Sequence, residues 1–310
     1  MSSYWESGHH RRFVTVHCAH QRAAWREADD TFQDAERRKE AERWFCEQAF
    51  AWAQRGGLRV DAAAVAVTLW RRFFTSDATF KTANPYLVIL ACLTLAAELC
   101  DAVLDVHAVR AAVARKLPEG RGFSSADVAI ARAALVARGA GALRIHTPYQ
   151  MLQLYAADVG ASPSMLQAAW AFTNDAVVYT DALLTWSPHI IALAALRMAA
   201  TFFKRSIDAW MTAALVPMEQ VEAASSELLI LLKASSDAAR LAAVRDARRS
   251  YVLTVEAVAP WVVGDSGSTN GKPGSASGAP AAASAPASTV VALPSSPSAV
   301  PSTSSAPAHG

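Results

Sequence analysis

The chain has 310 residues, with 29 Lys and Arg against 27 Asp and Glu, a formal charge of +2. That near balance argues against direct grip on a nucleic-acid backbone, where clustered cations displace counterions and carry most of the affinity; acidic partners stay open. Four cysteines, Cys18, Cys46, Cys92 and Cys100, show no paired spacing, and the opening MSSYWESGHH lacks the apolar core of a secretory signal, so a reducing compartment is expected.

Residues 1–34 read as a polar N-terminal helical segment. Trp5 lies in it, and is expected either to stand exposed for a partner or to staple the segment onto the domain. From 35 to 54 the apolar residues Trp44, Phe45, Ala49, Ala51 and Trp52 mark one helix face, which Arg55-Gly56-Gly57 ends. Asp61 is expected to cap the next helix, AAAVAVTLWRRFF, which gives way to the polar loop TSDATFKTA. Asn84 before Pro85 reads as an N-cap with proline at the first helical position, opening an apolar helix to about Cys100. A helix apolar all round should sit in the middle of a bundle. A short amphipathic helix at 106–117 stops at Pro118 and Gly120, and Ser124 or Ser125 then caps a fifth helix from 126 to 143.

The second half starts at Thr147-Pro148 and repeats the plan, with helices predicted at 148–160, 162–184, 187–203, 207–215 and 217–234. Ser187-Pro188 echoes Asn84-Pro85 at a period near ~100 residues, which suggests two stacked five-helix units in an all-α chain. Two runs, 86–100 and 189–203, tempt a membrane reading, but each falls short of the roughly 20 apolar residues that a span needs. From residue 265 Ser, Ala, Pro and Gly dominate with no aromatic residue, a composition expected to be disordered.

Candidate chemistry is sparse. His17, Cys18 and His20, with His9 and His10, include metal-ligand types, but their spacing matches no closed zinc site, and a polar helix explains them. Asp175 and Asp181 resemble an acid and base pair. Six residues along a helix turn them to different faces, so capping and solvation account for both. No Gly-rich phosphate loop or nucleophile elbow occurs. The sequence therefore points to no catalytic residue, no metal and no cofactor. Most of the nine tryptophans fall on apolar helix faces, where core packing is the default.

Two consecutive five-helix units, each with a buried helix opened by a capped proline, resemble tandem cyclin boxes. Ala169-Trp170, Asn174-Asp175, Thr180-Asp181, Leu183-Leu184, Pro188 and Ile191-Ala192-Leu193-Ala194 are similar to the second box of transcriptional cyclins of the C type, and Trp210 and Met218-Glu219 continue the match. In the first box Arg72-Phe73, Lys81, Asn84-Pro85 and Leu95-Ala96 agree, and Tyr4-Trp5-Glu6-Ser7 resembles that family's N-terminal segment. The resemblance implies a first cyclin box at 35–145 and a second at 146–250. Asp175 and Asp181 stand one residue further apart than the family pattern, which implies an insertion or a local slip.

A cyclin binds a cyclin-dependent kinase and holds its mobile regulatory helix inward, with no chemistry of its own. The resemblance implies a kinase-contacting surface from the third and fifth helices of the first box: Leu95, Glu98, Leu99, Arg132, Val136 and Leu143, with Trp5 as a further contact. Where the family has a lysine at the end of the third helix this chain has Glu98, and Arg132 stands in the place of the glutamate. Either the two charges are exchanged and still paired, or Arg132 is a solvated charge on an amphipathic helix.

The implied partner is a cyclin-dependent kinase of the transcriptional type, with Mediator or other transcription proteins beside it, and the implied location is the nucleus, although Arg37-Arg38-Lys39 makes a poor import signal. The first helix, ERWFCEQAFAW, lacks the docking patch of cell-cycle cyclins. A cyclin-fold adaptor that binds nucleic acid, or a degenerate cyclin acting as a scaffold, are the alternatives. A chain truncated near residue 264 is expected to fold as the full chain does; loss of its cooperative thermal transition would contradict this.

Overall fold

The computed structural model describes residues 4–11, 24, 35–75, 78–117, 122–139 and 142–235, and for 35 and 230–235 the backbone alone. All belong to one compact unit, Met1–Gly264; the expectation for 265–310 lies outside the described residues. Among the described residues there are eleven α-helices and no strand, as the periodicity predicts. They are α1 (Ala35–Arg55), α2 (Val60–Phe74), α3 (Pro85–Leu99), α4 (Val106–Ala114), α5 (Ser125–Gly139), α6 (Tyr149–Asp158), α7 (Pro163–Tyr179), α8 (Ala182–Thr185), α9 (Pro188–Phe202), α10 (Asp208–Ala213) and α11 (Met218–Ser235). A 3-10 turn, Tyr4–Glu6, precedes them and continues as helical backbone through Arg11.

The capped prolines are where the sequence puts them. Asn84 Oδ1 accepts from the N–H groups of Tyr86 and Leu87 at 3.0 and 3.5 Å, and Ser187 Oγ accepts from Ile190 N at 3.4 Å. Each opens a 15-residue helix that is buried along most of its length. α3 packs against α1, α2, α4 and α5, and α9 packs against α6, α7, α8 and α11, so each is the axis of its own half. Ser124 and Asp127 at the start of α5 cap each other reciprocally: Asp127 N donates to Ser124 Oγ at 3.1 Å and Ser124 N to Asp127 Oδ2 at 2.7 Å. Gly57, at φ +79°, takes the left-handed turn that closes α1.

Among the described tryptophans, Trp44, Trp52 and Trp70 are buried, while Trp170, Trp186 and Trp210 are partly buried against the same core. Phe45 and Phe74 stack on Trp70 and Phe80, giving the first half an aromatic centre. No described helix is long and apolar enough to cross a membrane.

Three expectations need correction. Asp61 does not cap α2 from outside: the helix starts at Val60, and Asp61 sits in its first turn, accepting from Ala62 N at 2.9 Å and pairing with Arg59. The helix predicted over 162–184 stops at Tyr179, where Thr180 turns to an extended conformation and a one-turn helix follows. Thr180 Oγ1 makes that break, donating to Ala176 O at 2.6 Å and accepting from Ala182 N at 2.8 Å. Asp181 is not a cap, since its side chain bonds no amide of α8.

Asp181 meets Arg71 of α2 instead. The guanidinium, only 5 % exposed, donates Nη1–H to Asp181 Oδ1 at 3.0 Å and Nη2–H to the Val178 carbonyl at 2.6 Å. Arg43 of α1 donates Nε–H to the Tyr179 carbonyl at 3.4 Å. Two arginines of the first half thus meet the carbonyl end of α7, where the helix dipole places negative charge. Removing one partner of a buried pair leaves the other desolvated without compensation. Arg71→Leu is expected to cost roughly 3 kcal/mol in urea unfolding by that principle, and Asp181→Asn less, because the Val178 bond survives.

Candidate functional site

The face carrying the sequence-predicted kinase contacts is built by the last turn of α3 and the middle of α5. α3 is enclosed from Pro85 to Ala97 apart from a half-buried Thr94, and only its end emerges. There Glu98 and Arg132 face each other across the two helices, with Nη1 at 2.5 Å from Oε1 and Nη2 at 2.6 Å from Oε2. Glu98 and Arg132 are therefore paired, in the fork geometry that guanidinium and carboxylate share. The pair is exposed, at 54 % for Glu98 and 39 % for Arg132, so it contributes only ~0 to 1 kcal/mol to the folded chain.

Leu99 and Val136 lie exposed on the same two helices, at 42 % and 41 %. Ile130 on α5 and Val103 just after α3 are exposed apolar residues that sequence reasoning did not single out. Leu143 is half-buried against the core. Leu95 is buried, so it anchors α3 and offers no surface: it points to neighbours that surround the helix one turn before its end. Burial along α3 follows from how far its neighbours extend, a quantity that helical period does not carry.

Trp5 is 56 % exposed, and its ring stands edge-on to His10. The staple of the N-terminal segment is its neighbour, Tyr4, which is buried with its ring edge-on to His146 at 5.9 Å between centroids. Ser7 Oγ accepts from His10 N, and Gly8 lies so close to Ala142 that a Cβ there would meet the alanine methyl at 2.8 Å. His9 is buried and bonds the Leu183 carbonyl through Nε2 at 2.8 Å; because a carbonyl accepts, Nε2 carries the proton. The segment therefore lies across both halves, touching the connection after α5 and the short α8. Adjacent aromatic residues gave no signal of which would turn inward.

His17, Cys18 and His20 lie outside the described residues, and no described group of three or more His, Cys, Asp or Glu side chains could hold a metal ion. Burial raises the Asp175 carboxyl above its usual range; Asp175 lies on α7, while Asp181 is past its end and pairs with Arg71.

No protein-family model matches the chain. Among solved structures it is similar to a chain of the CAK complex of Chaetomium thermophilum bound to ATP-γ-S, with a TM-score of 0.60 at 14 % identity, covering 88 % of this chain and 100 % of that one. It is also similar to a chain of the yeast RNA Pol II CTD kinase CTDK-1 complex, with a TM-score of 0.59 at 13 % identity, covering 70 % and 72 %. At such identities the likeness is one of fold. Together with the sequence matches, the likeness of the chain is to cyclin-like proteins of the transcriptional type. Its curated relatives include the RNA polymerase II holoenzyme cyclin-like subunit of Aspergillus oryzae, 27 % identical over 159 residues, which is 51 % of this chain and 52 % of that protein. The protein of the same description from Neurospora crassa is 28 % identical over 165 residues, 50 % and 45 % of the two chains. Cyclin-K of Danio rerio is 28 % identical over 191 residues, 58 % and 43 %. The chain spans about half the length of the curated relatives it matches.

His9 gives the docked N-terminal segment a pH dependence. Burial first, then the nearby Arg72 charge, lowers its pKa to about 3 from an ordinary 6.5. The unfolded chain therefore takes up the proton first, so the His9 contribution is full above about 6.5 and is lost progressively as pH falls toward about 3. The melting-temperature advantage of wild type over His9→Gln is expected to be largest at pH 7 and above and to shrink steadily toward pH 4. A difference that stays constant with pH would contradict this.

Proposed function

We propose that the chain is a C-type cyclin, the regulatory subunit of a cyclin-dependent kinase that acts in RNA polymerase II transcription in the nucleus, in the manner of the Mediator kinase module. The observation that carries this reading is the exposed Glu98–Arg132 fork with Leu99 and Val136 beside it, at the place where the resemblance sets the kinase contact. The descriptions of the relatives support the transcriptional setting.

The chemistry asked of the face is binding alone. A helix of the kinase covers Leu99 and Val136, and burying such apolar anchors supplies most of the affinity. Arg132 has five N–H donors, and Glu98 takes two of them, so the remainder serve kinase backbone carbonyls while the carboxylate fixes the guanidinium's orientation. Holding the kinase helix inward completes the kinase's ion pair and orders its activation segment. The catalytic groups all belong to the kinase.

The test is co-expression with transcriptional cyclin-dependent kinases, followed by co-purification and a kinase assay on the polymerase II C-terminal repeat. Arg132→Glu sets two carboxylates face to face and is expected to weaken kinase binding by about 10- to 100-fold, the range in which one desolvated charge contact operates. Adding Glu98→Lys should restore part of the loss while neither change moves the melting temperature appreciably. A kinase bound without gain of activity would favour the scaffold, and no kinase bound would overturn the reading.

A further inference from the structure

The two central helices, α3 and α9, correspond position by position as far as the turns that close them. Pro85 matches Pro188 at the start, half-buried Thr94 matches half-buried Arg197, and Leu99 and Phe202 end the helices as exposed apolar residues. Two positions further, Asp101 and Lys204 take left-handed backbone, at φ +48° and +54°. The closing bonds also agree: Ala102 N donates to Ala97 O and Arg205 N to Ala200 O, each at 2.8 Å, the six-to-one bond of a Schellman turn.

The first of these ends is where the proposed function seats the kinase, with Leu99 as an apolar contact. The second end carries more apolar surface. Phe202 is 71 % exposed and Phe203 43 %, their rings edge-on at 5.3 Å between centroids. The turn that holds them is tied down, because Arg205 donates Nη1–H to the Gly160 carbonyl at 2.8 Å and Nη2–H to the Val159 carbonyl, just past the end of α6. Aromatic rings are enriched where proteins meet, and a pair held out on a tied turn has little freedom left to lose when it is covered.

Charge narrows what would cover the rings. Asp208 and Glu222 both pair with Arg197, and Arg205 is taken by the two carbonyls, whereas the exposed ammonium of Lys204 has no partner among the described residues. A lysine stands there although the left-handed backbone favours glycine, so the cation is kept beside the rings at a conformational cost. A second copy of the chain does not fit. The exposed parts of the two rings amount to about one whole phenylalanine, on the order of 200 Å², so two copies would bury roughly 400 Å² where a stable dimer needs about 1,200 Å² or more. A two-fold contact would also bring two Lys204 charges together. A short amphipathic segment fits better, because a few anchors seat it.

We propose that the end of α9 is a second docking point, for an amphipathic helix of a protein other than the kinase, which lays apolar side chains on Phe202 and Phe203 and an acidic side chain against Lys204. The comparison with the end of α3 rests on the proposed kinase contact. The exposed rings and the unpaired lysine do not, so the two surfaces succeed or fail separately.

The test is to express the full chain in its own cells with photoreactive benzoylphenylalanine at position 202, and separately at position 99, and to sequence the crosslinked peptides by mass spectrometry. At position 202 the expected adduct is one peptide of a protein other than the kinase, with Asp or Glu within one helical turn of its apolar residues. Lys204→Gly suits the left-handed backbone and so keeps or raises the melting temperature, and it is expected to lower that adduct ~2- to 5-fold, the scale of an exposed ion pair. Phe203→Ser is expected to abolish the adduct at position 202 and leave the one at position 99 unchanged. An adduct at 202 to the kinase, to a second copy or to residues 236–310 of this chain would overturn the proposal, as would no adduct at all. An adduct that Lys204→Gly does not lower would overturn the acidic assignment. Absence of the kinase at position 99, with the 202 adduct intact, would count against the kinase reading and support this docking point.

Discussion

The junction between the two halves turns on one buried guanidinium. Arg71 is buried at the end of α2, and it reaches both the Asp181 carboxylate and the Val178 carbonyl, two acceptors that lie on either side of the break after α7. Desolvating a guanidinium is expensive, and it is repaid only when the acceptors stand in one geometry. That makes Arg71 a gauge of alignment: the halves can slide on alanine-rich, smooth helix faces, where burial alone is non-directional, but the fork accepts one position. Arg43, donating to the next carbonyl, Tyr179, holds the same helix end from α1.

The break itself follows from the same requirement. Had α7 run on to Leu184, its carbonyls would be spent in i to i+4 bonds and Asp181 would lie on the helix wall. Thr180 stops the helix by turning its hydroxyl to Ala176 O and to Ala182 N, which frees the Val178 and Tyr179 carbonyls for arginines and brings Asp181 round to the same side. Arg38 does the equivalent work within the first half, donating to the Phe74 carbonyl at the end of α2 at 2.8 Å while pairing with Glu42. Buried arginine on a helix C-terminus is the recurrent device of this fold.

What could be read in the sequence was what is decided locally. Asn84-Pro85 and Ser187-Pro188 carry their own explanation within four residues, so the two central helices and the pseudo-repeat were legible, as was the enclosure of two apolar runs too short for a membrane. Asp181 was not legible: its partner is 110 positions away, and a carboxylate before an apolar turn has the same local look whether it caps or pairs. Tyr4 and Trp5 differ only in which way the turn rolls them. Glu98 and Arg132 come through the family resemblance alone, because 34 positions, with α4 between them, separate the two. Leu95, implied as a contact by the resemblance, is buried, because the period along α3 says which residues share a side, not where the neighbouring helices end.

The stiffness of the fold is concentrated at the junction of its two halves. The N-terminal segment adds a third element to it: Tyr4 and His9 sit inward, Gly8 lets the backbone pass Ala142 without a side chain between, and His9 ties the segment to α8, the turn that Asp181 begins. The Arg71 fork and the His9 bond therefore converge on the same short stretch, 178–183. Arg71 orients the halves and the N-terminal segment closes over the result. The α3 and α5 face, standing at the far end of a helix enclosed over nearly its whole length, then presents Glu98, Arg132, Leu99 and Val136 on a fixed base, so that these exposed side chains are already ordered by the packing beneath them.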